Sequence, residues 1–141
     1  MNEPADWTVR RATSDDVDRV FAFLSPFMSS KHILPRTLDD LRQLLGIAFV
    51  AEAPEVVGFG AVEIYSKKLA EVQCMAVDPH FQGRGIAKHI VQLCVAEARN
   101  QGVRELMAIT ASERLFQSCG FHYSLPSQRR ALFIQTDDLE V

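Results

Sequence analysis

Apolar residues recur along this chain with two periods, and the switches between them mark out its elements. Residues 8–11 read as a short strand. Thr13 or Ser14 can cap a helix whose first turn carries Asp15 and Asp16 at the positive dipole end. Val17, Val20, Phe21 and Leu24 follow at helical spacing, and Pro26 predicts the end of that helix. A mixed loop spans 29–36. Thr37 caps a second helix with Asp39 and Asp40 behind it, Leu38, Leu41, Leu44 and Leu45 as its buried stripe, and Gly46 at its C-terminal exit. The period then shortens: 47–53 and 56–65 flank the turn at Pro54-Glu55, and 69–77 follows a second turn at Ser66-Lys67-Lys68. A strong helix runs from about Gly85 to Asn100, with Ile86, Ile90, Val91, Leu93 and Cys94 on one broad face. After it come a strand over 105–109, a short helix from Ser112 to Cys119, and strands over 121–123 and 130–134. The order predicts an α/β fold: a mixed sheet with an antiparallel meander and helices on both faces.

The 141 residues suit one domain spanning 1–141. Hydrophobic residues make up 48%, charged residues 23%, and net charge is −3, the balance of a globular protein. A pI near 5.8 argues against a nucleic-acid partner but leaves room for a local anion pocket. Three cysteines without a CxxC pair predict neither a disulfide framework nor a zinc site, so no metal is expected. Reduced thiols suit a cytoplasmic protein. The first residues lack an apolar signal core, and no apolar run approaches the roughly 20 residues of a membrane span.

The chemistry concentrates in residues 77–87. A strand ends, a turn with two glycines follows, and a helix begins. Helix-start amides point outward and the dipole adds positive charge, which makes an anion site. Gly83 and Gly85 let the backbone approach the anion, Arg84 adds charge, and Gln82 can brace the loop. A phosphate loop of the Walker type would need Gly-Lys-Ser/Thr where Gly85-Ile86-Ala87 stands. A dinucleotide fingerprint would need Gly in place of Lys88. Taken alone, the turn could also be a plain strand–helix connection.

A longer match carries the reading further. Val77-Asp78-Pro79-x-x-Gln82-x-x-Gly85-x-Ala87 resembles the acyl-CoA signature of the GNAT superfamily, and Phe116-Gln117-Ser118-Cys119-Gly120-Phe121 resembles its F-x-x-x-G-F segment. The resemblance covers about residues 8–134 and includes the order of elements. It implies a sheet that splays after the meander, with the pantetheine of acetyl-CoA, the co-substrate, between the parting strands. Main chain at Met75, Ala76 and Val77 would pair with the pantetheine. Gln82 and the amides of Gly83, Arg84, Gly85, Ile86 and Ala87 would hold the pyrophosphate, with Phe116 beside the cofactor. The family transfers the acyl group directly to an amine. Many members carry Tyr where Phe116 stands, as acid for the departing thiolate; here Ser118 and Tyr123 are the nearby hydroxyls.

The amine must lose a proton, and a carboxylate can take it. Simple alternation along 69–77 puts Glu71, Gln73, Met75 and Val77 on one face, so Glu71 is the candidate base; the alternative is a solvated edge charge. Cys74 has no activating neighbour in sequence and reads as a packing residue. Ile33-Leu34-Pro35-Arg36 and Glu71-Val72-Gln73-Cys74-Met75-Ala76-Val77 resemble the I-L-x-R and E-L-A-C-L-A-V segments of the acetyltransferase domain of N-acetylglutamate synthases. That resemblance implies an amino-acid acceptor bound by Arg36, with Leu34 and the Cys74 backbone lining its pocket. Against it, Gln135-Thr136-Asp137-Asp138 stands where that family has Q-R-x-S, so a second carboxylate clamp is not expected. Three functions stay open on sequence: acetylation of a small amine such as an amino acid, acetylation of a protein or peptide N-terminus, and acetyl-CoA sensing without turnover. A homodimer is likewise open.

Overall fold

The computed structural model describes residues 6–125, 127, 131–134 and 136. Five strands form one sheet in chain order: β1 (Thr8–Arg11), β2 (Ala48–Glu52), β3 (Val56–Ile64), β4 (Leu69–Val77) and β5 (Glu105–Met107). The first three pairings are antiparallel and β4–β5 is parallel. Helices α1 (Val17–Ser29) and α2 (Leu38–Leu44) cover one face, burying Val20, Leu24 and Leu41 against Val50, Phe59 and Ala61. Helices α3 (Ile86–Asn100) and α4 (Glu113–Ser118) cover the other, burying Ile86, Ile90, Val91, Cys94 and Phe116 against Ala51, Val72 and Val77. Helix α3 lies close on β3 because Gly60 presents no side chain to it. A Cβ there would stand 2.7 Å from Ile90 Cγ2 and 2.9 Å from Met75 Sδ.

Several local expectations change. Pro26 lies inside α1, which continues to Ser29. Proline removes one hydrogen bond near the helix end, and the Phe23–Phe27 contact with centroids 5.3 Å apart keeps the last turn packed. The true stop is a Schellman-type cap: Lys31 sits at φ +64°, its N–H donates to Met28 O, and His32 N–H donates to Phe27 O. Gly46 does not form a left-handed exit from α2; it lies in a 3-10 turn, Leu45–Ile47, and its carbonyl accepts from Arg11. Residues 121–123 are in no strand. Phe121 instead closes α4, its N–H donating to Phe116 O and its ring packing on Phe116. Residues 131–134 are also in no strand, and Leu132, Phe133 and Ile134 are exposed, since the three-residue β5 pairs only with β4 among the described residues. Arg130 lies outside the described residues, as do Gln135, Asp137 and Asp138 of the C-terminal segment.

One charged cluster anchors α1. Arg10 grips Asp16 with two nitrogens at 2.8 and 2.6 Å, and its Nε donates to Glu52 at 2.6 Å. This ties β1 to the start of α1 and the end of β2. The Arg10 hydrogen bonds outweigh burial and hold the Asp16 carboxyl down from 3.8 to about 2. The folded value lies below the unfolded one, so the stabilisation is complete above the unfolded value and is lost as pH falls through about 2. Asp16 is buried while Arg10 is two-fifths exposed, so solvent screens part of the gain. Asp16→Asn should therefore lower stability by about 1–2 kcal/mol at neutral pH. Urea melts of both proteins should converge as pH falls from about 4 toward 2.

Candidate active site

The parallel pairing of β4 with β5 ends at Glu71↔Met107. From Val72 to Val77, β4 has no strand beside it on that side among the described residues, which is the splay that the family resemblance implies. A bare edge of main-chain donors and acceptors there suits an extended ligand.

At the C-terminal end of that edge, Asp78 accepts from His80 N–H and Gln82 Nε2 donates to Val77 O at 3.3 Å. The loop then turns through Gly83 at φ +80° and Gly85 at φ +86°, left-handed conformations that favour glycine. A Cβ at either position would meet no atom within 4 Å, so the space beside both is open. The first hydrogen bond into the helix start is His89 N–H to Gly85 O at 3.0 Å; none is made by the amides of 83–88 among the described residues. Unpaired amides, an open flank and a 15-residue helix behind them form an anion cradle that fits a pyrophosphate. Arg84 braces it: its guanidinium lies 4.5 Å from the Phe81 ring centroid and donates to His80 O. Ile86 contributes only its amide, because its side chain is buried in the α3 core, and Ala87 is half-buried.

Alternation along β4 breaks in the middle, and this corrects the expected grouping of Glu71, Gln73, Met75 and Val77. Gln73 pairs with Ala61 and Ala76 with Phe59, so Cys74 and Met75 together oppose the single Gly60. Cys74 takes φ +57° in this bulge. Glu71 and Gln73 therefore share a face with Cys74 and Ala76, under α1 and α2, whereas Met75 and Val77 turn toward α3. The strand divides the site: cofactor edge and α3 on one side, candidate base and acceptor residues on the other. Cys74 is buried, which pushes its thiol up, away from the reactive thiolate.

Arg36 reaches the Glu71 side from the α1–α2 loop. The capping box of α2 positions it, Thr37 Oγ1 accepting from Asp40 N–H while Asp40 accepts from Thr37 N–H, both at 3.0 Å. Asp40 is thus engaged in the cap, and Asp39 pairs with Arg42 at 2.6 Å. Arg36 instead donates from Nη2 to Gln73 Oε1 at 2.5 Å. Its Nε is buried without a hydrogen-bond partner among the described residues. A cavity of about 300 Å³ opens beside it, lined at its polar end by Arg36, Asp40, Gln43 and Glu63. Leu34 is 62% exposed and does not line that cavity.

Glu71 lies in a network that alternation along one strand does not reveal. Glu63 of β3 is its cross-strand partner. Tyr65 donates to Glu71 Oε1 at 2.6 Å, and Gln73 Nε2 reaches the same oxygen at 3.0 Å and Glu63 Oε2 at 3.2 Å. Burial and the bond to Glu71 push the Tyr65 hydroxyl up to about 12, so it remains a donor at neutral pH. On the leaving-group side, Phe116 is buried, Ser118 donates to Leu115 O at 2.6 Å, and Tyr123 donates to Glu113.

Comparison with known proteins gives the family. Residues 15–121 match the Acetyltransferase (GNAT) family. The chain is 31% identical over 117 residues to an amino-acid acetyltransferase of Mycobacterium tuberculosis, covering 80% of this chain and 67% of that protein. It is 27% identical over 118 residues to an uncharacterized N-acetyltransferase of Chlorobaculum tepidum, covering 83% and 76%. A crystal structure of a Mycobacterium tuberculosis protein in complex with CoA superimposes with a TM-score of 0.73 at 28% identity, covering 88% and 76%. The chain also matches an amino-acid acetyltransferase of Vibrio cholerae at 24% identity, spanning 30% of that protein's length. The chain belongs to the GNAT family of N-acetyltransferases. No helix among the described residues is long and apolar enough to cross a membrane.

Proposed function

We propose that this protein transfers the acetyl group of acetyl-CoA to the amine of a free amino acid whose carboxylate is held by Arg36. The carrying observation is the buried, unpartnered Nε of Arg36 beside a cavity walled by α2, the turn after it and the end of β3. A buried donor left unpaired costs about 1–3 kcal/mol, which a carboxylate can recover through a forked contact. A cavity of about 300 Å³ lies at the small end for ligand pockets and suits a metabolite better than a peptide chain. Relatives named amino-acid acetyltransferases support the same acceptor class.

Acetyl-CoA supplies an activated carbonyl. The residues of this chain supply the rest. The 83–87 amides and the bare edge of β4 hold and orient the thioester. Arg36 fixes the acceptor carboxylate and so aims its amine, which arrives as an ammonium. Glu71 removes a proton, freeing the lone pair that attacks the carbonyl as the carbon–sulfur bond breaks. Phe116 offers no proton for the leaving sulfur, so the second proton that the nitrogen loses as the amide forms passes through water to the thiolate.

The test is CoA release across the L-amino acids, followed by Arg36→Ala. With the best acceptor, KM should rise about 10²-fold while acetyl-CoA binding and melting temperature stay put. Arg36→Lys should recover only part of the loss, because the ammonium lacks the fork. Wild-type acceptor kinetics in Arg36→Ala would remove the amino-acid reading and leave the family assignment standing.

A further inference from the structure

We propose that Gln73 is a positioning residue that couples acceptor recognition to proton removal, leaving Glu71 Oε2 as the oxygen that takes the proton. This rests on the amino-acid reading above. The Gln73 amide lies between a group that can only donate and groups that accept. Its carbonyl takes the Arg36 Nη2 hydrogen at 2.5 Å. Its Nε2 carries two hydrogens and has three acceptors in reach, Glu71 Oε1 at 3.0 Å and both Glu63 Oε2 and Tyr65 Oη at 3.2 Å. The opposite amide orientation would set a donor against the guanidinium and the carbonyl against two carboxylates, so the chemistry permits only this one.

Two consequences follow. Glu71 Oε1 receives both Gln73 and Tyr65, whereas Oε2 receives no donor among the described residues. The clamped oxygen fixes the carboxylate plane, and the open one keeps its lone pairs for the acceptor's ammonium. In addition, Arg36 is held in place by the same amide that holds the base, so acceptor carboxylate and acceptor amine are registered to one side chain. The charged and titratable groups that meet here are Arg36, Asp40, Glu63, Tyr65, Glu71 and the Cys74 thiol. The E-L-A-C-L-A-V pattern has Ala at position 73, so this coupling belongs to this chain rather than to the pattern it resembles.

Three variants test the assignment: Gln73→Met, which keeps volume and loses every polar contact of the amide; Gln73→Glu, which keeps an acceptor for Arg36 but faces Glu71 with a third carboxylate; and Glu71→Gln as reference. Each is assayed by CoA release with acetyl-CoA and the best L-amino acid of the panel. Gln73→Met should lower kcat about tenfold and raise acceptor KM several-fold, with acetyl-CoA KM unchanged. Gln73→Glu should move the acid limb of the kcat/KM profile up by about one pH unit, since a like charge favours the protonated base. A merely structural role would cost both variants melting temperature and leave the limb in place, which overturns the proposal. Wild-type kcat and pH profile in both variants, with Glu71→Gln inactive, would overturn it while sparing the amino-acid reading. No CoA release with any amino acid would overturn both.

Discussion

Glu71→Gln should lower kcat by about 10²–10⁴ at neutral pH with acetyl-CoA affinity unchanged. The replacement is isosteric, and its amide can still be approached at one oxygen by Tyr65, so the network keeps its shape while losing its proton acceptor. The effect has a signature in pH. An amino acid's amine is mostly protonated at neutrality, so removing the base is costly there. As pH rises the neutral amine becomes abundant, and the variant should narrow the gap to the wild type, by at most about tenfold per pH unit until the amine is neutral. A purely structural Glu71 would give a constant ratio across the same range. Rates within threefold of wild type at neutral pH would remove Glu71 as the base and reassign proton transfer to solvent or to Glu63.

The geometry of the turn into α3 was legible in sequence because its determinants are contiguous. Gln82, Gly83 and Gly85 lie beside the helix they precede, and the left-handed φ values of the two glycines follow from local turn chemistry. The acceptor half was legible only in parts. Arg36 and Glu71 could be named from a resemblance, but the face of β4 could not be read past Gln73, because a bulge shifts alternation by one residue and Cys74 carries no glycine-like warning. Glu63 and Tyr65 were missed altogether. Their signal is the hairpin register: once residues 66–68 are a turn, Ile64 pairs with Ala70 and Glu63 falls opposite Glu71. The end of α1 was missed for a related reason, since Lys31 occupies the left-handed cap that glycine usually marks. Each failure occurs where pairing or packing across the chain overrides a one-dimensional pattern. The bulge also divides a single strand between the two faces of the sheet. It turns Met75 and Val77 toward α3, while Glu71 and Gln73 remain on the Arg36 side.

Gly85→Asp should weaken CoA binding by at least about 10²-fold without unfolding the protein. Gly85 caps α3 at φ +86°, and a side chain there costs roughly 1 kcal/mol of left-handed strain. It meets no atom within 4 Å, so packing is undisturbed. A carboxylate at the positive end of a helix favours the helix itself, which offsets part of that strain. The same carboxylate stands where the pyrophosphate would sit. A like-charge pair about 6 Å apart at an effective dielectric near 20 costs about 2–3 kcal/mol, and each 1.4 kcal/mol is tenfold in Kd. Gly85→Asn separates charge from shape: it carries nearly the same bulk and tolerates left-handed backbone, so its loss should be nearer tenfold. Calorimetric titration with CoA gives the two Kd values. Thermal unfolding gives an independent reading, because a saturating ligand raises Tm by mass action and should do so for wild type, weakly for Gly85→Asn and not for Gly85→Asp. A folded Gly85→Asp protein with wild-type CoA affinity would move the pyrophosphate away from the start of α3 and leave the bare edge of β4 as the only remaining support for where acetyl-CoA binds.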